Sequence, residues 1–151
     1  MKSVYRVLAY VIAAEVVIQA AAIAFAAFGL FKWVEDGGTL TKASIEDEST
    51  TFTGVVGFMV HGMNGTMLIP LIALVFMIVS FFAKIPGGVK WAGFVLLAVV
   101  VQVLLGMFAH ELPSLGILHG ANALVLFGLA VMAGKRVSTT TTTEVKESSF
   151  A

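Results

Sequence analysis

Four runs of this chain are long, apolar and almost free of charge, at about 5–31, 55–82, 89–108 and 115–132. Roughly 20 consecutive apolar residues are enough to cross the hydrocarbon of a bilayer as a helix. In lipid the backbone must satisfy its own hydrogen bonds, which only helices and closed barrels achieve. Barrel strands alternate polar and apolar residues over about ten positions, and these runs do not. The expected fold is therefore all-α, an integral membrane bundle of four spans. Charge content agrees: a soluble domain carries about 25% charged residues, whereas this chain has 12%, with 59% hydrophobic residues and a formal net charge of zero. The absence of cysteine removes disulfides, thioether-linked haem, iron–sulfur clusters and thiol catalysis.

The start, MKSVYR followed by an Ala-rich run, has the outline of a secretory signal. A signal's apolar core is about 7–15 residues, and this run continues well beyond that, so it reads as the first span. Orientation follows from the basic residues. Lys2, Arg6, Lys84, Lys90, Lys135, Arg136 and Lys146 flank one side of the spans. Lys32 and Lys42 fall on the other, beside Glu35, Asp36, Glu46, Asp47, Glu48 and Glu111. The positive-inside bias puts both termini and the Pro86-Gly87-Gly88 turn in the cytoplasm of a multi-pass protein of the cell membrane. Trp33 and Trp91 stand near span ends, as interfacial anchors do. Short connections at 84–90 and 110–114 favour an up-down bundle over residues 1–136. Ser114, after Pro113, is placed to cap the fourth span. The outer stretch 37–54 reads as a solvated acidic loop, or else a docking site for a basic partner. The Thr-rich tail 137–151 has little to bury and is expected to be disordered.

The chain also repeats itself. The phrase 60-VHGMNGTML-68 returns as 118-LHGANALVL-126, and 16-VVIQAAAIAFA-26 returns as 99-VVVQVLLGMFA-109. Spans one and two thus resemble a copy of spans three and four. Both copies enter the membrane the same way, which is a parallel repeat. Of three histidines, two sit in the repeated phrase. His61 and His119 each lie a few residues into an inward-running span, roughly 6–9 Å below the outer boundary at 1.5 Å per residue. Imidazoles at matched depth on two helices suit bis-histidine coordination of haem iron. Gly57 and Gly65 lie four residues either side of His61, and Gly116 and Ala123 bracket His119. Small residues there would make room for a flat macrocycle. They equally allow helices to pack backbone to backbone, with the histidines hydrogen-bonded inside the bundle. Both readings stand.

The stretch 102-QVLLGMFAHELPSLGILHGANALVLFGLAVM-132 resembles a half-module of the heme A synthase family. It is also similar to small four-span bacterial membrane proteins of unassigned function. The resemblance implies a bundle whose second and fourth spans supply paired haem ligands, here His61 and His119, and a b-type haem as cofactor. The run 57-GFMVHGMNG-65 lacks the glutamate and arginine that the family places around its histidine, and one bundle stands where the family has two. The resemblance therefore carries haem-holding architecture rather than catalysis.

Among the remaining polar positions, Glu15 is an acid deep in the first span, a functional candidate on cost alone. It reads as a protonated tie between helices or as a handler of protons or quinol. Gln19 and Gln102 form one repeat-matched polar pair, and Asn64 and Asn122 another. His110 and Glu111 read as a wet interfacial pair. Met59, Met63 and Met67 make a stripe off the face of His61 and read as packing. No phosphate loop, zinc-protease helix, nucleophile–base set or basic nucleic-acid patch appears, so no enzyme activity of its own and no nucleic acid is expected. Two functions remain. One is a b-type haem protein that carries electrons or handles haem, with a quinone or redox partner. The other is a cofactor-free subunit of a larger membrane complex, to which the Ala-rich face of span one would contribute close helix contacts.

Overall fold

A computed structural model describes residues 1–46 and 50–148 of the chain, and among them there is no strand. The elements are α1 (Lys2–Glu35), α2 (Lys42–Glu46), α3 (Val56–Met63), a π-helical turn (Asn64–Leu68), α4 (Ile69–Ala83), α5 (Gly88–Phe108) and α6 (Leu115–Ser148). Four stretches are long and apolar enough to cross a membrane: Lys2–Glu35, Val56–Ala83, Gly88–Phe108 and Leu115–Val137. Asp47 and Glu48 of the acidic outer stretch lie outside the described residues, as do the last three residues of the tail. The tail's backbone continues α6 as far as Ser148.

Side chains are distributed inside out relative to a water-soluble bundle. Ala9, Ala73, Ala92, Ala130 and Ala133 are completely buried, while Phe28, Ile117 and Leu124 are about three-quarters exposed, at 74%, 75% and 75%. Water would penalise such a surface, since soluble monomers rarely expose large continuous apolar patches. Lipid does not penalise it, and in lipid small residues bring helices together by close packing. The distribution matches what four apolar runs without a polar face require.

The chain divides into two compact units. The first takes Met1–Val16 and everything from Thr66 onward. Its core joins Tyr5, Ile12, Phe76, Val95, Val99 and Leu126 with the buried alanines. Tyr5 lies 4.6 Å from the ring of Phe76 between centroids, and its hydroxyl donates to the Gly88 carbonyl at 3.0 Å. This bond satisfies the polar end of a ring that is otherwise entirely buried. α5 packs against both α4 and α6. The α4–α5 connection turns through two left-handed residues, Lys84 at φ 51° and Gly87 at φ 70°. α6 begins directly after Ser114, whose carbonyl accepts from the Ile117 N–H at 3.2 Å.

The second unit is Val17–Gly65. The outer half of α1 meets α3 along a seam of small residues. A side chain at Gly29 would run into the Thr53 carbonyl, and one at Gly57 into the Ala22 carbonyl. Gly54, at φ +98°, turns the chain beside the Phe25 carbonyl into α3. Within the outer stretch the structure adds something that polarity alone did not announce. Thr41 and Ser44 cap α2 reciprocally: the Thr41 N–H donates to Ser44 Oγ at 2.8 Å, and the Ser44 N–H to Thr41 Oγ1 at 3.1 Å.

The stretch 55–82, expected as one regular helix, is interrupted by the π turn at Asn64–Leu68. The sequence cause is Pro70. Proline has no N–H to give the carbonyl four residues earlier, and its ring crowds that carbonyl. Widening the preceding turn relieves the crowding, and π turns of this kind concentrate at functional sites.

Candidate functional site

The two repeated histidines lie one in each unit, and each unit builds its surroundings from its own residues. In the Val17–Gly65 unit, His61 faces α1. Its Nδ1 lies 3.1 Å from the main-chain oxygen of Gln19, and Gln19 Nε2 donates back to the His61 carbonyl at 2.9 Å. The two residues thus clasp each other side chain to backbone. A carbonyl only accepts, so Nδ1 is the donor of this bond. Gly57 and Gly65, one turn to either side, let the helices approach: Gly57 lies against Ala22 and Ala26, and Gly65 against the Gln19 amide. Gln19 Oε1 is buried and has no hydrogen-bond partner among the described residues.

The other unit repeats the central contact. His119 Nδ1 lies 3.1 Å from the main-chain oxygen of Gln102, so here too Nδ1 donates to a glutamine carbonyl. Around it the arrangement differs. Asn122, one turn further along α6, donates through Nδ2 to the Ala98 carbonyl at 2.9 Å and to Gln102 Oε1 at 2.7 Å. The glutamine side chain is therefore held by asparagine rather than by histidine backbone. The imidazole rests against Gly106, where a Cβ would stand 3.0 Å from Cε1 and 3.2 Å from Nδ1. Gly106 was not among the residues singled out from sequence. The signal was present, since Gln102 and Gly106 lie four apart and share the helix face that meets His119.

The other expected residues fall as follows. Gly116 opens onto space, with nothing within 4 Å of where its Cβ would be. Ala123 is half-buried, and so is Glu15. Asn64 opens the π turn, its N–H directed to the carbonyls of His61 and Val60. His110 and Glu111 are exposed beyond the end of α5. Met59, Met63 and Met67 are exposed, at 58%, 58% and 66%, which assigns them to the outer surface of their helix rather than to a ligand set. Among the described residues no three of His, Asp or Glu gather where they could hold a metal ion.

Were a haem iron held by these two histidines, Nε2 of each ring would be the ligating atom, since Nδ1 faces a carbonyl. Their chemistry fits, because an Nδ1–H held by a carbonyl is the outer contact that orients a metal-bound imidazole and raises its basicity. The small residues divide between two roles. Gly57 and Gly65 are taken up by helix contact, and Gly116 has room beside it. No protein-family model, curated protein or solved structure matches the chain.

Proposed function

We propose that the chain is a multi-pass protein of the cell membrane, with both termini cytoplasmic, that holds a b-type haem through His61 and His119 and serves electron transfer or haem handling. The observation that carries this reading is the matched Nδ1–H···O=C bond of the two histidines, 3.1 Å in each case, to the glutamines that occupy equivalent positions in the repeat. Neither bond is needed to keep a helix intact, since the carbonyls of Gln19 and Gln102 lie inside helices and the histidines use their second lone pair. What the bonds do is orient the rings. In each, Nε2 is the nitrogen turned away from the glutamine carbonyl, the one a metal would use.

A haem bound there would supply a one-electron couple whose potential follows its axial ligands and their outer contacts. The chain's own residues would tune it through Gln19 and Gln102, which polarise the two Nδ1–H groups, and through Asn122, which fixes the Gln102 side chain. Duplication of a two-helix unit accounts for the matched positions, and selection for two ligands accounts for a histidine in each. A quinone or a redox protein would be the electron partner.

A second reading is favoured by the seam in the Val17–Gly65 unit. There the clasp of Gln19 with His61, flanked by Gly57 against Ala22, is complete as a helix-packing device. On that reading the protein is a cofactor-free subunit of a larger membrane complex. Oxidised and dithionite-reduced visible spectra of the detergent-purified protein from haem-replete cells separate the two. The haem reading expects a Soret band that shifts on reduction and is lost in both His61→Ala and His119→Ala. A colourless wild-type protein leaves the packing reading, and a band that survives both substitutions overturns His61 and His119 as the ligands.

A further inference from the structure

The strongest unassigned feature is a cleft of about 330 Å³ lined by Trp91, Met132, Lys135 and Arg136, all within the first unit. The Arg136 guanidinium lies over the Trp91 ring, 4.8 Å from its centroid. A guanidinium stacked by its face keeps its N–H groups in its own plane, a planar fork of the kind that meets phosphate oxygens two at a time. Gly87, left-handed at φ +70°, brings the backbone beneath this pair: a Cβ there would stand 3.7 Å from an Arg136 terminal nitrogen and 3.9 Å from the indole. Lys135 and Arg136 are exposed, Met132 is 52% exposed, and among the described residues no acid lines the cleft. Beside it Lys90 lies 5.6 Å over the Phe94 ring, so two cations stack on aromatic rings at the same end of α5.

We infer that this cleft binds the phosphodiester headgroup of an anionic phospholipid, with Arg136 and Lys135 contacting phosphate and Trp91 and Met132 contacting the glycerol and upper acyl chain. The inference rests on the membrane-spanning reading and is independent of haem. The cleft pairs aromatic and thioether surface with two cations at one end of the apolar helices, which is the composition of the boundary where headgroup meets chain. A soluble phosphate compound would use the cations and leave Trp91 and Met132 without a partner.

The test uses Trp33→Phe, which leaves Trp91 as the sole tryptophan, in vesicles of phosphatidylcholine with a minor fraction of phosphatidylglycerol. Bromine-labelled chains are placed on one lipid or the other, and Trp91 fluorescence is read. Quenching per labelled lipid is expected to be several-fold greater for phosphatidylglycerol, to fall to the phosphatidylcholine level in Lys135→Gln/Arg136→Gln, and to resist added glycerol phosphate. Lys2→Gln/Lys84→Gln, which removes the same charge elsewhere, is expected to keep the preference. Equal quenching by the two lipids, equal loss in the control pair, or displacement by glycerol phosphate overturns the site. No quenching by either lipid overturns the membrane reading as well. Arg136→Lys, which keeps charge and removes the planar fork, is expected to lose most of the preference while folding as the parent does.

Discussion

The regions around His61 and His119 share one hydrogen bond and differ in nearly everything that supports it. Each imidazole gives its Nδ1 proton to the carbonyl of a repeat-matched glutamine. Around His61 the glutamine side chain turns to the histidine's own backbone, and the helices close through glycine. Around His119 the glutamine side chain is taken by Asn122, and glycine serves to seat the ring itself. The difference has a source in the chain. Pro70 follows the first histidine phrase and a π turn precedes it, whereas α6 runs through the second phrase without interruption. Asn64 stands at the junction of α3 and the π turn, while Asn122 lies within α6 and bonds Ala98 and Gln102.

Packing substitutions give the largest separation of the two regions. Gly57→Leu would drive a side chain into the Ala22 carbonyl and is expected to cost about 1–3 kcal/mol, the range for overpacking a closed contact. Gly116→Leu meets nothing within 4 Å and should leave stability within about 0.5 kcal/mol. Denaturation in mixed detergent micelles measures both. If the space at Gly116 belongs to a cofactor, the same substitution lowers haem retention while the melting curve of the haem-free protein stays in place.

Gly106→Ala acts on the His119 region alone. Its methyl group would press on the imidazole at 3.0 Å, tilting the ring away from the Gln102 carbonyl. Haem retention is then expected to fall about tenfold, the lower end of what outer-contact changes cost a metal site. Retention unchanged in Gly106→Ala would mean that the ring's seat does not govern its ligation.

Smaller effects are expected at the glutamines. Gln102→Leu removes one of the two acceptors of the Asn122 amide and should destabilise by about 1 kcal/mol, within the range of interhelical hydrogen bonds in membranes. Gln19→Leu loses the bond to the His61 carbonyl but also removes a buried oxygen without a partner among the described residues, so its cost should be smaller, below about 0.5 kcal/mol. Reversal of that order by the same denaturation measurement would show that the clasp at His61 is the stronger support. The smallest change is Pro70→Ala, which restores the missing N–H. It is expected to convert the π turn toward regular helix, seen as greater amide-exchange protection around residue 70, with stability altered by less than about 0.5 kcal/mol.

Much of the architecture could be read from residue order. Apolar runs without a polar face announced four helices, and the structure has them, at Lys2–Glu35, Val56–Ala83, Gly88–Phe108 and Leu115–Val137. Among the polar positions, the repeat singled out Gln19 and Gln102 because a charge-free run makes each amide conspicuous. The direction of their bonds was hidden. Hydropathy reports that a glutamine is out of place and says nothing of whether its backbone or its side chain meets the histidine. Gly106 was hidden for a related reason: in an apolar helix a glycine that seats a ring and one that faces open space, as Gly116 does, are spelled alike.

What the sequence determined by itself is the all-helical class of the chain and the matched placing of its polar residues in two similar stretches, because hydropathy and residue spacing are properties of order along the chain. Only the tertiary structure decided the orientation of each imidazole, the closing of the Gly57 seam, the seating of His119 on Gly106 and the stacking of Arg136 on Trp91. Those depend on which atoms of two helices come within about 3–5 Å, a distance set by the phase and approach of the helices.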